Sequence, residues 1–190
     1  MAVWQYFLKV IPKISVIKKY GLVPPKLEIN HAGWAKYQQN AWKGIRSKID
    51  FEDAQTINWW KDISFDKERT VSAINNLIKQ CGWSDTNTIG WKGDTRNNQD
   101  NDVYIHFNES GKINSFTFRT DLRDDSLDFL DEMLKICKAN EWLVMDGNGL
   151  LFEPRFLEVY QSMRNSNASK FLENPEKFFE DLESGAIKPE

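Results

Sequence analysis

Residues 103–120 read VYIHFNESGKINSFTFRT, two alternating runs of apolar and polar residues around an Asn-Glu-Ser-Gly turn. Alternation at period two marks a strand with one buried face, and a Gly-containing polar turn between two such runs marks a hairpin. With a two-residue loop at Ser110–Gly111, Val103, Ile105 and Phe107 share a face with Phe118, Phe116 and Asn114. Tyr104, His106, Ser115 and Thr117 then fall on the reverse. One face of the hairpin is core and the other is semi-polar.

Downstream of this hairpin, Leu127, Leu130, Met133, Leu134 and Cys137 recur at helical spacing from Ser126 to near Asn140, with Asp128, Asp131 and Lys135 on the opposite side. Trp142 to Met145 and Leu150 to Phe152 flank Asp-Gly-Asn-Gly, a second hairpin. Pro154 then opens a helix carrying Phe156, Leu157, Tyr160 and Met163. Asn174–Pro175 caps a last helix with Phe178, Phe179 and Leu182 inward and Gly185 as its stop, after which the tail frays.

Upstream, Asp66 caps a helix whose stripe is Val71, Ile74, Leu77, Ile78 and Cys81, stopped by Gly82. Ile74 and Leu130 are expected in a core shared by helices and sheet. The polar stretch Gly93 to Asp102 reads as a mobile connector. The chain opens on a strand from Val3 to Ile11, with Trp4, Tyr6, Leu8 and Val10 on one face, ended by Pro12. Ile14, Val16, Ile17 and Tyr20 before Gly21 form a short helix with a glycine stop. Pro24–Pro25 breaks regular structure, and Trp34, Tyr37, Ala41, Trp42 and Ile45 fit either a helix or an irregular wrap.

Strand, helix, hairpin, helix, strand is the order of the split β-α-β, ferredoxin-like sandwich. The expected class is α+β, an antiparallel sheet with helices mainly on one face, and a less regular mixed sheet is the competing arrangement. Residues 1–190 form one domain, with 21–63 an insertion or wrap after the first strand and 154–185 a helical extension. At 190 residues and 41% hydrophobic the chain is large enough to bury a core without staples. No apolar run approaches the roughly 20 residues that span a bilayer. Gln5 and Lys9 interrupt the opening apolar stretch, and no small-residue cleavage site follows it. A cytoplasmic protein with no membrane partner is expected, and Cys81 and Cys137 read as reduced, small hydrophobes.

The motifs of many enzyme classes are absent. There is no Gly-rich phosphate loop ending in Lys-Ser/Thr, no Gly-x-Ser-x-Gly, no His-Glu-x-x-His and no Cys-x-x-Cys. His31 and His106 are the two histidines, which leaves imidazole chemistry few candidates. Asp121, Asp124, Asp125 and Asp128 cluster at a strand-to-helix turn, where they cap the helix or hold a hard cation through oxygen. Capping is the preferred reading, because no ordered calcium-loop pattern accompanies them. Neither a metal nor a cofactor is expected.

Charge is segregated along the chain. Residues 1–50 hold nine Lys/Arg against two Asp/Glu, a local +7, whereas residues 51–190 hold 16 against 26, a local −10. In the basic part Trp34, Lys36, Tyr37, Trp42, Lys43, Arg46 and Lys48 interleave rings and cations, a set able to stack bases and neutralise phosphates. In the acidic part Asp121 to Glu132 and Glu173 to Glu183 are either solvated helix faces or negative surface for a basic protein partner, with Asp124, Asp128 and Asp131 as the candidate contacts. Adjacent Trp59 and Trp60 point to opposite sides if extended, so one of them is a candidate exposed anchor and core packing of both is the alternative.

Trp4-Gln5-Tyr6 leading into Val10-Ile11-Pro12, Trp59–Trp60, Phe116 to Arg123, and Ser166 to Gly185 with Phe171, Pro175 and Phe178 span nearly the whole chain. In these landmarks the chain resembles small cytoplasmic bacterial immunity proteins that neutralise a polymorphic toxin. The resemblance implies a binding protein without enzymatic activity whose partner is a toxin domain. The alternative is a nucleic-acid-binding or nucleic-acid-processing protein using segment 34–48 or the Tyr104/His106 sheet face.

Overall fold

The computed structural model describes residues 4–45, 48–82, 85 and 87–187, so Val3 and Arg46 lie outside the described residues. The elements in chain order are β1 (Gln5–Pro12), α1 (Lys13–Tyr20), α2 (His31–Trp42), α3 (Lys67–Asn75), β2 (Thr88–Lys92), β3 (Asp102–Phe107) and β4 (Ile113–Asp121). They continue as α4 (Asp128–Ala139), β5 (Trp142–Asp146), β6 (Leu151–Phe152), α5 (Phe156–Arg164), α6 (Asn167–Glu173) and α7 (Pro175–Glu183). The fold is α+β. Its six strands are ordered β2-β3-β4-β1-β5-β6, and every pairing is antiparallel. The four strands β3-β4-β1-β5 have the order of the split β-α-β arrangement, and β2 and β6 extend its two edges.

The deciding hairpin pairs Val103 with Phe118, Tyr104 with Thr117, Ile105 with Phe116 and His106 with Ser115, as its alternation requires. After His106 the register shifts, and Phe107 meets Ile113 instead of Asn114. On the front face α3, α4 and α5 close the core. Phe129 of α4 meets Phe118 with ring centroids 6.2 Å apart, the Trp91 indole donates to Asn75 of α3 at 2.7 Å, and Tyr6 reaches Ser162 of α5 at 3.1 Å. Ile74 and Leu130 are both fully buried in this layer.

Several expected boundaries move, each for a local reason. Helix α3 ends at Asn75, short of Cys81, because Asn75–Asn76 are poor helix formers and the edge strand β2 offers backbone pairing. Gln80 bridges Trp91, and the Cys81 amide donates to Gly90 at 2.8 Å, so this stretch runs beside β2. The supposed connector 93–102 folds back on itself. It contains a short 3₁₀ turn at Thr95–Asn97, and Asp100, Asn101 and Asp102 are buried. Leu157 is 72% exposed on α5 and Phe179 half-exposed on α7, so those helices bury narrower stripes than expected. Both cysteines are free thiols, with Cys137 buried and Cys81 half-buried.

Residues 21–63 are a wrap, and they decide what the back of the sheet can do. Leu27 donates to Gly149, and Leu151 donates to Pro25, which zips the wrap along β6. Gly149 sits at φ 85 with Leu27 O only 2.3 Å from where a Cβ would be, so both conformation and space demand glycine there. Farther on, the wrap crosses the back of β1 and β5. The buried Lys9 ammonium donates to the carbonyls of Gln55 at 2.6 Å and Ala54 at 3.3 Å, and Leu143 and Met145 are fully buried. The chain then turns around the sheet end to the front. There Trp60 packs against Phe65, Phe116 and Trp142, with centroids 5.2 to 6.2 Å apart.

Candidate functional site: the open half of the sheet

Behind β2, β3 and β4 the sheet presents a different surface. Tyr104, His106, Ser115, Thr117 and Arg119 are half-exposed there, placed by the same alternation that buries Val103, Ile105, Phe116 and Phe118 in front. Rings and a cation meet on this face. Tyr104 and His106 lie nearly parallel, 8° apart with centroids at 6.3 Å, and the Arg119 guanidinium sits 5.9 Å from the Tyr104 ring. His106 Nδ1 and Thr88 Oγ1 are 3.1 Å apart.

This face is fixed at one end by an ionic network. Asp102, fully buried, accepts from Arg119 Nε at 2.8 Å and from Gln5 and Lys92 at 3.3 Å each. Asp100 pairs with Lys92 and accepts from the Trp4 indole at 3.1 Å and Thr95 at 3.2 Å. Burial works against the charge on Asp100, yet the hydrogen bonds from Lys92, Trp4 and Thr95 hold its carboxyl below the usual carboxylate range. Asp121 accepts from the Asp100 amide at 2.8 Å and from Arg123 at 2.6 Å, and the Arg123 guanidinium lies 4.4 Å over the Trp4 ring. Three carboxylates and three cations thus neutralise one another, and the Arg119 guanidinium is held beside the Tyr104 ring.

The turn after β4 starts at this network. Asp124 accepts from the amide and hydroxyl of Ser126 at 3.1 and 2.9 Å, a local turn ahead of α4. The helix itself starts from Leu127 with no side-chain cap, so the expected capping is not made, and the cluster's contribution is the acids Asp128 and Asp131 in the first turn. Asp128 is exposed in the first turn of α4, and Asp131 is bound by Lys135 at 2.9 Å. Lys135 is shared between Asp131 and Glu132. No group of three or more metal-ligating side chains occurs among the described residues.

The expectation of an exposed anchor at Trp59–Trp60 is corrected. Both rings are 2% exposed, and they do point to opposite sides: the Trp59 indole donates to Ala54 O at 2.9 Å behind the sheet, and the Trp60 indole donates to Val10 O at 3.2 Å. Tryptophan is buried when its N–H finds a partner, and here both do. Among the described residues the exposed indole is instead Trp42, at 89%. It ends α2, a helix with no buried residue, which is tethered through Trp34: the indole donates to Asp53 at 2.7 Å and the ring meets Phe51 at 5.3 Å. Lys36, Lys43 and Lys48 are exposed around it, while Tyr37 packs edge-on against Trp34.

No family model matches the chain, and no curated protein or solved structure matches it either.

Proposed function

We propose that this chain is a non-enzymatic protein-binding module that neutralises a bacterial toxin by stoichiometric binding, as the immunity proteins it resembles do. The observation that carries the reading is the open half of the sheet, where Tyr104, His106 and Arg119 lie side by side on a strand-borne surface. Tyrosine and arginine are favoured interface anchors because they combine large contact area with directional hydrogen bonds. A platform built on strands and braced by buried ion pairs loses little freedom on association. Asp124 and Asp128, at the start of α4, add steering toward a basic partner.

Expressing the reading frames that flank this gene, each with and without the chain, tests the proposal. The expected result is growth arrest by one product, relieved by this chain, with a 1:1 complex on size exclusion. Tyr104→Ala/Arg119→Ala should weaken that complex at least about tenfold, and Asp124→Lys/Asp128→Lys should slow association at low salt. Toxicity that persists despite full expression of the folded chain, or the absence of any toxic flanking product, overturns the reading. A second reading, nucleic-acid binding, draws on the near-parallel Tyr104 and His106 rings, since bases stack on such a pair. Salt-sensitive binding of a labelled oligothymidylate, lost in Tyr104→Ala, would favour it.

A further inference from the structure

Large apolar side chains left in solvent are concentrated in one part of the molecule. Seven of the ten found among the described residues lie between residues 14 and 49, led by Trp42 at 89%, Leu22 at 60% and Ile45 at 53%. The same stretch is basic: residues 13–49 contain seven lysines and one arginine against a single acid, Glu28. Lys13 pairs with Glu153 and Lys19 with Glu52, which leaves Lys18, Lys26, Lys36, Lys43 and Lys48 as exposed cations.

Helices α1 and α2 carry Ile14, Ile17, Tyr20 and Trp42, with Leu22, Ile45 and Ile49 in the segments that follow them, and both helices contact residues 51–59 of the wrap. Tyr20, at the end of α1, meets the Trp59 ring at 6.4 Å, and α2 is tied to Phe51 and Asp53 through Trp34. Burial on α1 is confined to Val16, so Ile14 and Ile17 face outward one turn apart. Apolar side chains thus protrude singly among lysines. A cleft of about 450 Å³ lies elsewhere, between residues 62–67 and the β3–β4 turn.

We propose that this basic, apolar surface docks on an anionic lipid bilayer, with Trp42, Ile45 and the outer side of α1 entering the interface and the lysines meeting acidic headgroups. A protein partner would need a pocket matched to each protruding side chain, whereas the interfacial layer of a bilayer takes them in any arrangement. Lysines near the membrane surface add attraction for anionic headgroups that salt screens. No helix among the described residues is long and apolar enough to cross a membrane, and an interfacial surface requires none. The expectation of no membrane partner rested on the missing span and on the interrupted opening apolar stretch, neither of which bears on an interfacial surface. This surface is separate from the open half of the sheet, so the two proposals stand or fall independently.

Sedimentation of the full chain with large vesicles, either pure phosphatidylcholine or equimolar phosphatidylcholine and phosphatidylglycerol, tests it. Binding to the anionic vesicles, its loss at high salt and its absence with neutral vesicles are expected, with a blue shift of tryptophan emission. Trp42→Ser should lower the partition coefficient about tenfold and diminish the emission shift, and Lys36→Glu/Lys43→Glu should lower it at least about tenfold. All three positions are exposed, so thermal unfolding should be unchanged. Lys112→Glu at the β3–β4 turn and Tyr104→Ala should bind like the parent. Absence of binding to anionic vesicles, equal binding to neutral ones, or normal binding by the folded Trp42 and lysine variants overturns the proposal.

Discussion

The two halves of the sheet's back face are built from adjacent strands of one sheet and end as opposite surfaces. Behind β1, β5 and β6 the sheet is sealed: every residue of β5 is buried, and the wrap lies over Lys9, Leu143 and Met145. Behind β2, β3 and β4 it is open, and its polar groups satisfy one another. Strand composition decides between them. Trp142-Leu-Val-Met145 is apolar on both faces, as strands covered on both sides are, and leaving Leu143 and Met145 in water would forfeit their burial. Tyr104, His106, Ser115 and Thr117 supply polar reverse positions that tolerate water. A ferredoxin-like sheet with helices on one face therefore needed a second cover over only half of its area.

The strongest way to break the comparison is to strip the seal. Trp60→Ala removes the ring that joins the wrap to Phe65, Phe116 and Trp142 and leaves Val10 O without its indole donor. A loss of about 3–5 kcal/mol is expected in urea unfolding. A loss below about 1 kcal/mol would mean that the covered half does not depend on the wrap.

On the open half the corresponding change is Asp102→Asn. It takes the charge from a fully buried carboxylate and leaves Arg119 and Lys92 without their shared partner. Breaking a buried pair from one side costs about 3 kcal/mol, reduced here because both cations reach solvent, so roughly 2 kcal/mol is expected from the same measurement. Vesicle binding should not change. A variant as stable as the parent would show that the open face keeps its arrangement without the network.

Lys9 sharpens the comparison through pH. Burial, opposed by the nearby Asp53 carboxylate, pushes its ammonium down from 10.5 to about 8. The folded chain releases this proton more readily than the unfolded chain, so Lys9 costs stability below pH 8, where both states are charged. That cost is relieved as pH rises from about 8 to 10.5, by up to roughly 3 kcal/mol. Stability measured against Lys9→Met should therefore improve for the parent across this window. A pH-independent difference would place Lys9 in contact with water instead of under the wrap.

Much of this was legible in local pattern. The register of the β3–β4 hairpin as far as His106, the stripe of α4, the Asp-Gly-Asn-Gly turn, the glycine stop of α1 and the Asn174 cap of α7 each follow from residues within one or two turns of each other. Alternation also placed Tyr104 and His106 on the reverse face. Asp124 and Ser126, two residues apart, form a local turn, but the helix that follows starts from Leu127 without a side-chain cap.

What local pattern did not contain was the identity of distant partners. Asp100 and Asp102 looked like solvated loop residues until Trp4, Gln5, Lys92 and Arg119 arrived from β1, β2 and β4 to satisfy them. Strand β2 was invisible because its pairing with β3 and residues 79–81, and the burial of Trp91, come from outside it. Trp59 and Trp60 carry the same side chain as Trp42, and nothing nearby separates them. The buried pair found carbonyls at Ala54 and Val10, the second of them fifty residues away in sequence, while Trp42 ended a helix that the core never reaches. Periodicity reports which face of an element is apolar. Which apolar faces are covered, and which charges are neutralised, depends on contacts between residues far apart in the chain, and those exist only once it has folded.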